Sequence, residues 1–159
     1  MKALMMVCLS VWMGLAQADT ALLIFGASKH SGCDKKNEKC FFNEFNPGLG
    51  LEWSPAEYTW GRPMVRAGSY KDSFSKAAYF LMAGARREWS VGGGVKVGLG
   101  IQAGYINGSG EDNGVGLLPI LSIGYRRLAL EVGYVPVIND FGLERDVSVT
   151  TFSLRWDLP

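Results

Sequence analysis

The feature that most constrains this chain is an alternation of side-chain type with period two. Val95, Val97, Leu99, Ile101, Ala103 and Tyr105 form one series, and Lys96, Gly98, Gly100, Gln102 and Gly104 fall between them. Leu128, Leu130, Val132 and Tyr134 alternate with Ala129, Glu131, Gly133 and Val135. Phe152, Leu154, Trp156 and Leu158 alternate with Ser153, Arg155 and Asp157. Successive side chains of a strand point to opposite faces, so this repeat specifies strands rather than helices. One face is apolar and the other is small or polar. A wall in lipid needs large apolar side chains outside and accepts small or polar ones inside. A soluble lipocalin-like barrel, the runner-up architecture, requires the reverse, and a glycine-rich face is too small to solvate an exterior.

About eight such runs occur, near the roughly ten-residue length of a membrane barrel strand. They are predicted near 21–29, 46–54, 62–70, 77–88, 94–105, 115–125, 128–136 and 147–157. The connections alternate in length. The longer set comprises Cys33–Cys40, Lys71–Lys76, Asn107–Asn113 and Asn139–Asp146. The other set, shorter overall, comprises Pro55–Gly61, Trp89–Gly93 and Arg126-Arg127. Long external loops, short periplasmic turns and both ends periplasmic define an up-and-down outer-membrane barrel. The expected fold is therefore all-β, an eight-stranded antiparallel up-and-down transmembrane β-barrel. Trp53, Trp60, Trp89, Tyr105, Tyr125, Tyr134 and Trp156 fall near strand ends, as interfacial girdles do.

Residues 1–18 read as an export signal. Lys2 is the positive region, Ala3 to Ala16 the apolar region, and Ala16-Gln17-Ala18 the cleavage site. The barrel then occupies 19–159, and the location implied is the bacterial outer membrane. Cys33 and Cys40 remain after cleavage and bracket a polar loop. An oxidising compartment favours a disulfide between them. The rival is a pair of free thiols or a metal site, but one histidine and no further thiol make a four-ligand zinc site improbable. No metal and no cofactor are expected. The glycines lie in strands and form no nucleotide loop between a strand and a helix. Gly110-Glu111-Asp112-Asn113 reads as turn chemistry rather than a calcium loop.

Lys and Arg number 16 against 15 Asp and Glu, which argues against a nucleic-acid partner. The presumed inward charges are Glu52, Arg66, Arg86, Lys96, Arg126, Glu131, Arg155 and Asp157, mostly toward the periplasmic end. Buried charges must pair or stay hydrated, so they are expected to form a mutually neutralising plug. The upper lumen would then be lined mainly by Gly, Ala and a few apolar residues. Such a lumen fits a chain-shaped apolar guest, although simple filling by side chains is the commoner arrangement.

His30 is the single histidine and stands where the first strand meets the first external loop. Asp72-Ser73 opens the second external loop. Each is ordinary alone: a loop histidine, and Asp-Ser turn chemistry. Together on one rim they supply the base, hydroxyl and carboxylate of acyl transfer. Pro119 and Pro136 fall in the sixth and seventh predicted strands, which are hairpin neighbours. Proline cannot donate to the ladder, so the pair reads either as strand-end punctuation or as a lateral opening for a lipid.

These pieces, in this order and spacing, resemble the PagP family of outer-membrane lipid A palmitoyltransferases. His30, FNEFNPGLGLEW, YKDSFSK, VGLGIQAGY, LLPILSIGYRR and LEVGYVPV carry the resemblance, from about Leu23 to the C-terminus. It implies an eight-stranded barrel that moves a palmitoyl chain from a phospholipid to lipid A or lipopolysaccharide. His30, Asp72 and Ser73 match the family's catalytic residues, and Pro119 and Pro136 its lateral lipid gates. The barrel is expected to be a monomer. The sequence departs from the family in the apparent lack of a helix before strand one, in the terminal Trp156-Asp157-Leu158-Pro159, and in the cysteine pair. Arg86 also falls where a small residue is expected beneath the acyl chain. The alternatives are a non-enzymatic barrel of the same shape, for surface, binding or scaffold use, and a deacylase using water as acceptor.

Overall fold

A computed structural model describes residues 18–32, 42–109, 112–136 and 147–159. It contains β1 (Asp19–Ser31), β2 (Phe45–Ser54), β3 (Arg62–Lys71), β4 (Ala77–Gly92), β5 (Val95–Ser109), β6 (Asp112–Tyr125), β7 (Leu128–Val135) and β8 (Ser148–Asp157). Each strand pairs with the next, and β1 with β8, so the sheet closes on itself. All pairings are antiparallel. Residues 1–17 of the expected export signal at 1–18, and the expected Cys33–Cys40 pair, lie outside the described residues.

The alternating sequence sorts outside from inside as the membrane reading requires. Leu49, Leu81, Leu99, Ile101, Leu117 and Leu121 face outward and are at least half exposed. An apolar surface of this extent suits lipid, not water. The lipocalin-like arrangement is thereby overturned. All seven girdle aromatics are exposed as well.

The inside divides into two layers. In the lower layer, Glu52 accepts from Arg66 at 2.7 Å, from Ser54 at 3.0 Å, and from Arg86. Arg66 also reaches Glu131 at 2.8 Å. Glu131 accepts from Arg155 at 3.0 Å, and Arg155 pairs in turn with Glu88 and Asp157. The network crosses the lumen and ties β2, β3, β4, β7 and β8 together. Two members of the expected plug are absent from it. Lys96 and Arg126 are exposed, because both lie at the turns of the open lower end, where water solvates them. Arg126 instead takes a left-handed φ of 55° in the two-residue turn between β6 and β7. Glu88, which the sequence reading did not name, takes part.

The upper layer is bulkier than expected. Leu23, Phe80 and Met82 are buried, with Phe25, Tyr70 and Ile106 packed on them. Phe25 meets Phe80 edge-on with centroids 5.3 Å apart, and Tyr70 lies 5.8 Å from Phe25. The glycines are present, but rings take the space they leave. A Cβ on Gly50 would stand 3.2 Å from Phe80 and 3.3 Å from Phe25.

Two boundaries bear on the site. Pro136 lies one residue beyond β7 rather than in it. Strand β1 is irregular between Phe25 and Ala27, where its register shifts against both β2 and β8. Below the shift Leu23 and Phe25 face the lumen; above it Ser28 is buried and Lys29 exposed. A bulge changes which face a strand presents. Without it, period two would carry Lys29 inward and His30 toward lipid.

Candidate active site at the external rim

His30 is the last inward side chain of β1. The neighbouring Lys29 faces outward, so the lipid-spanning part of β1 ends below it and His30 stands in the rim. Ser73 follows β3 in the turn to β4. The fold brings the two together from 43 positions apart: Ser73 Oγ lies 3.0 Å from His30 Nε2. That is hydrogen-bond distance, within the reach a base needs to take a hydroxyl proton.

Asp72 is fully buried and builds the turn that presents Ser73. Its Oδ1 accepts from the backbone N–H of Phe74 at 2.9 Å and of Lys76 at 2.7 Å. Its own N–H donates to the Lys76 carbonyl at 2.7 Å, and its carbonyl accepts from Ser75 at 3.0 Å. An aspartate that bonds its own turn in this way fixes local backbone. Ser75 takes a φ of 66° in the same turn.

A short segment before β2 holds the two halves in place, and the sequence reading gave it no role. The Asn43 N–H donates to the Ser73 carbonyl at 2.7 Å, and the Ser28 N–H to the Glu44 carbonyl at 2.9 Å. Asn46 is buried; its amide donates to the Lys71 carbonyl at 3.0 Å, and its Oδ1 accepts from Ser28 Oγ at 2.6 Å. Phe42 stacks on the His30 ring, with centroids 4.3 Å apart and planes 15° apart. The one available signal was the polar run Asn43-Glu44 beside a strand start, which reads equally well as loop.

Burial lowers the pKa of His30 below its ordinary value of 6.5, opposed by the carboxylate of Glu44. Desolvation disfavours the charged imidazolium, which keeps the ring neutral and able to accept a proton near neutral pH.

The prolines are not part of this pair. Pro119 lies on β6, exposed, opposite Ile101 of β5. The β6–β7 ladder stops at Ile120 and Gly133. Above that point β6 continues to Asp112 paired with β5, while Tyr134 and Val135 pair with β8. Among the described residues the seam between β6 and β7 is thus unpaired above Pro119, which has no N–H to close it. No group of three or more His, Cys, Asp or Glu able to hold a metal occurs among the described residues.

Fold and rim together define a class: a lipid-embedded eight-stranded β-barrel with a His–Ser pair at the mouth. A family model described as "Antimicrobial peptide resistance and lipid A acylation protein PagP" matches residues 11–146, and the chain belongs to this family. Among solved structures, the crystal structure of Neisserial surface protein A (NspA) is similar at 15% identity, with a TM-score of 0.49. The similarity covers 89% of this chain and 96% of that one. No curated protein matches the chain.

Proposed function

We propose that the protein is an outer-membrane acyltransferase that moves a palmitoyl-type chain from a phospholipid to lipid A. The observation that carries this reading is the 3.0 Å contact between Ser73 Oγ and His30 Nε2 at the rim. Family membership adds the substrate class, lipid A acylation. In the proposed reaction His30 Nε2 accepts the proton of the activated hydroxyl. A new ester bond forms to a lipid A hydroxyl and the phospholipid ester bond breaks. The proton leaves with the lysophospholipid, so atoms and charge balance. Ser73 and His30 activate donor or acceptor, and Asp72 orients Ser73 through its turn. Pro119 and Pro136 would flank the lipid's lateral entry through the open β6–β7 seam.

A second reading, a non-enzymatic barrel of the same shape, draws on the Phe25–Tyr70–Phe80 cluster, which fills lumen that an acyl chain would use. The test is a mass spectrum of lipid A from a host lacking its own palmitoyltransferase. Wild type and Ser73→Ala are compared, with both proteins confirmed in the outer membrane. The expected result is one added acyl chain with wild type and none with the variant. Loss of a chain would indicate a deacylase. Unchanged lipid A beside a folded wild-type barrel would overturn the enzymatic reading in favour of the second.

A further inference from the structure

For Ser73 to donate to His30 Nε2, the neutral imidazole must carry its proton on Nδ1. Nδ1 is buried and has no hydrogen-bond partner among the described residues. Histidine bases are commonly fixed by a hydrogen bond at the second nitrogen. Here the ring is fixed by its face. Phe42 lies parallel to it at 4.3 Å, and Phe74, from the same turn as Ser73, meets Phe42 at 5.7 Å and 78°. Phe42 thus sits between the strand that carries the histidine and the turn that carries the serine. The Asn43, Glu44 and Asn46 hydrogen bonds already described anchor it to both sides.

Glu44 follows two residues after Phe42. The bond from the Ser28 N–H to the Glu44 carbonyl continues the Ala27–Phe45 register, which sets Glu44 beside the inward Ser28 with its side chain exposed at the mouth. Among the described residues, the other charged residues at the rim end of the elements packed about His30 are Lys71, Asp72 and Lys76 around the Ser73 turn and Lys29 on its own strand. Asp72 lies behind Ser73 and is engaged by its turn. Strand β8 sets Val149 opposite His30, flanked by the uncharged Ser148 and Thr150. Lys29 faces outward.

We propose that Phe42 and Glu44 are positioning residues for His30: the Phe42 ring fixes the imidazole plane toward Ser73 Oγ, and the Glu44 carboxylate stabilises the imidazolium formed when Nε2 takes a proton. For its effect on rate, this inference rests on the acyl-transfer reading. For its effect on the histidine itself it does not.

His30 is the only histidine in the chain, so its ring signals in an NMR titration of the full-length protein in micelles need no further assignment. Folding of each variant is checked by the different gel mobility of boiled and unboiled barrel. In Phe42→Leu the ring-current shift of the His30 protons disappears. The rate of acyl transfer at saturating lipid falls about tenfold, with KM unchanged, because orientation and not binding is lost. Phe42→Tyr retains both shift and rate. In Glu44→Gln the His30 titration midpoint moves down, and the acid limb of the pH–rate profile moves down with it. Wild-type shifts and rate in Phe42→Leu would overturn the role of Phe42. An unmoved midpoint in Glu44→Gln would overturn that of Glu44. If wild type transfers no acyl chain, the function reading fails alone, and the ring shift and midpoint still decide the placement of both residues.

Discussion

Glu52→Gln tests whether the lower lumen is a dry, paired network or a hydrated one. Glu52 is 1% exposed and faces two arginines. After the substitution Arg66 keeps Glu131 at 2.8 Å, but the nearest carboxylate left to Arg86 is Glu88 at 3.7 Å, beside the Met64 sulfur at 3.5 Å. The loss therefore falls on Arg86, which is 6% exposed. Removing one partner of a buried pair costs about 3–5 kcal/mol. Glutamine still offers an acceptor oxygen, so the lower end, about 3 kcal/mol, is expected. Pairing the change with Arg86→Met removes the stranded charge. The double variant should lose less than the sum of the singles, with a coupling of about 1–3 kcal/mol. The assay is urea unfolding of the full-length barrel in lipid vesicles, followed by tryptophan fluorescence. A loss under about 1 kcal/mol for Glu52→Gln, with the two changes additive, would refute the dry network and show that water reaches these charges.

Acyl transfer should persist below pH 6.5, because burial lowers the His30 pKa and the ring stays a neutral base into mildly acid solution. A pH–rate profile of kcat/KM checks this, and an acid limb at or above the ordinary histidine value would count against it. Stability has the same sign: the contribution of neutral, half-buried His30 is complete above 6.5 and is lost as pH falls toward the lowered folded value. The β4–β5 contact should not accept a methyl group. A Cβ on Gly84 would stand 2.7 Å from Gln102 Cα, and one on Gly104 would stand 2.6 Å from Met82 Cα. Alanine at either should cost about 1–3 kcal/mol in urea unfolding. Gly26→Ala, where an added Cβ meets nothing within 4 Å, should fall within about 0.5 kcal/mol of wild type.

Strand number, direction and facing were legible because lipid makes period two nearly obligatory: each outward position must be apolar whatever its neighbours do. The lower network was legible as a set of charges but not as a set of partners. Alternation says that Arg66 and Glu131 point inward; only barrel closure says that they meet. The same limit hid Glu88 and wrongly admitted Lys96, since distance from the open end, not facing, decides which inward charge must pair. His30 marks the sharpest limit. Its inward direction depends on a break in the very period that identified the strand, and the cue is one glycine, Gly26, among many that mark no irregularity. Phe42 was invisible for a related reason. It precedes its strand, and its partner in stacking is brought to it by register alone.

The two layers of the lumen make different demands on the chain. The lower one is held by ion pairs that join five strands, so damage there reaches the whole barrel. At the rim, Ser73 is held by one turn and one carbonyl, and His30 by a stacked ring. These are local bonds, and none of them closes the sheet. A change at Ser73 therefore removes a hydroxyl without stranding a buried charge, whereas a change at Glu52 strands one. Loss of acyl transfer with an intact barrel is then the expected signature of rim variants, and loss of the barrel itself that of network variants. A Ser73→Ala protein that failed to fold would contradict this separation directly, because the side-chain contact of Ser73 with His30 is not one of the backbone bonds that close β1 on β8.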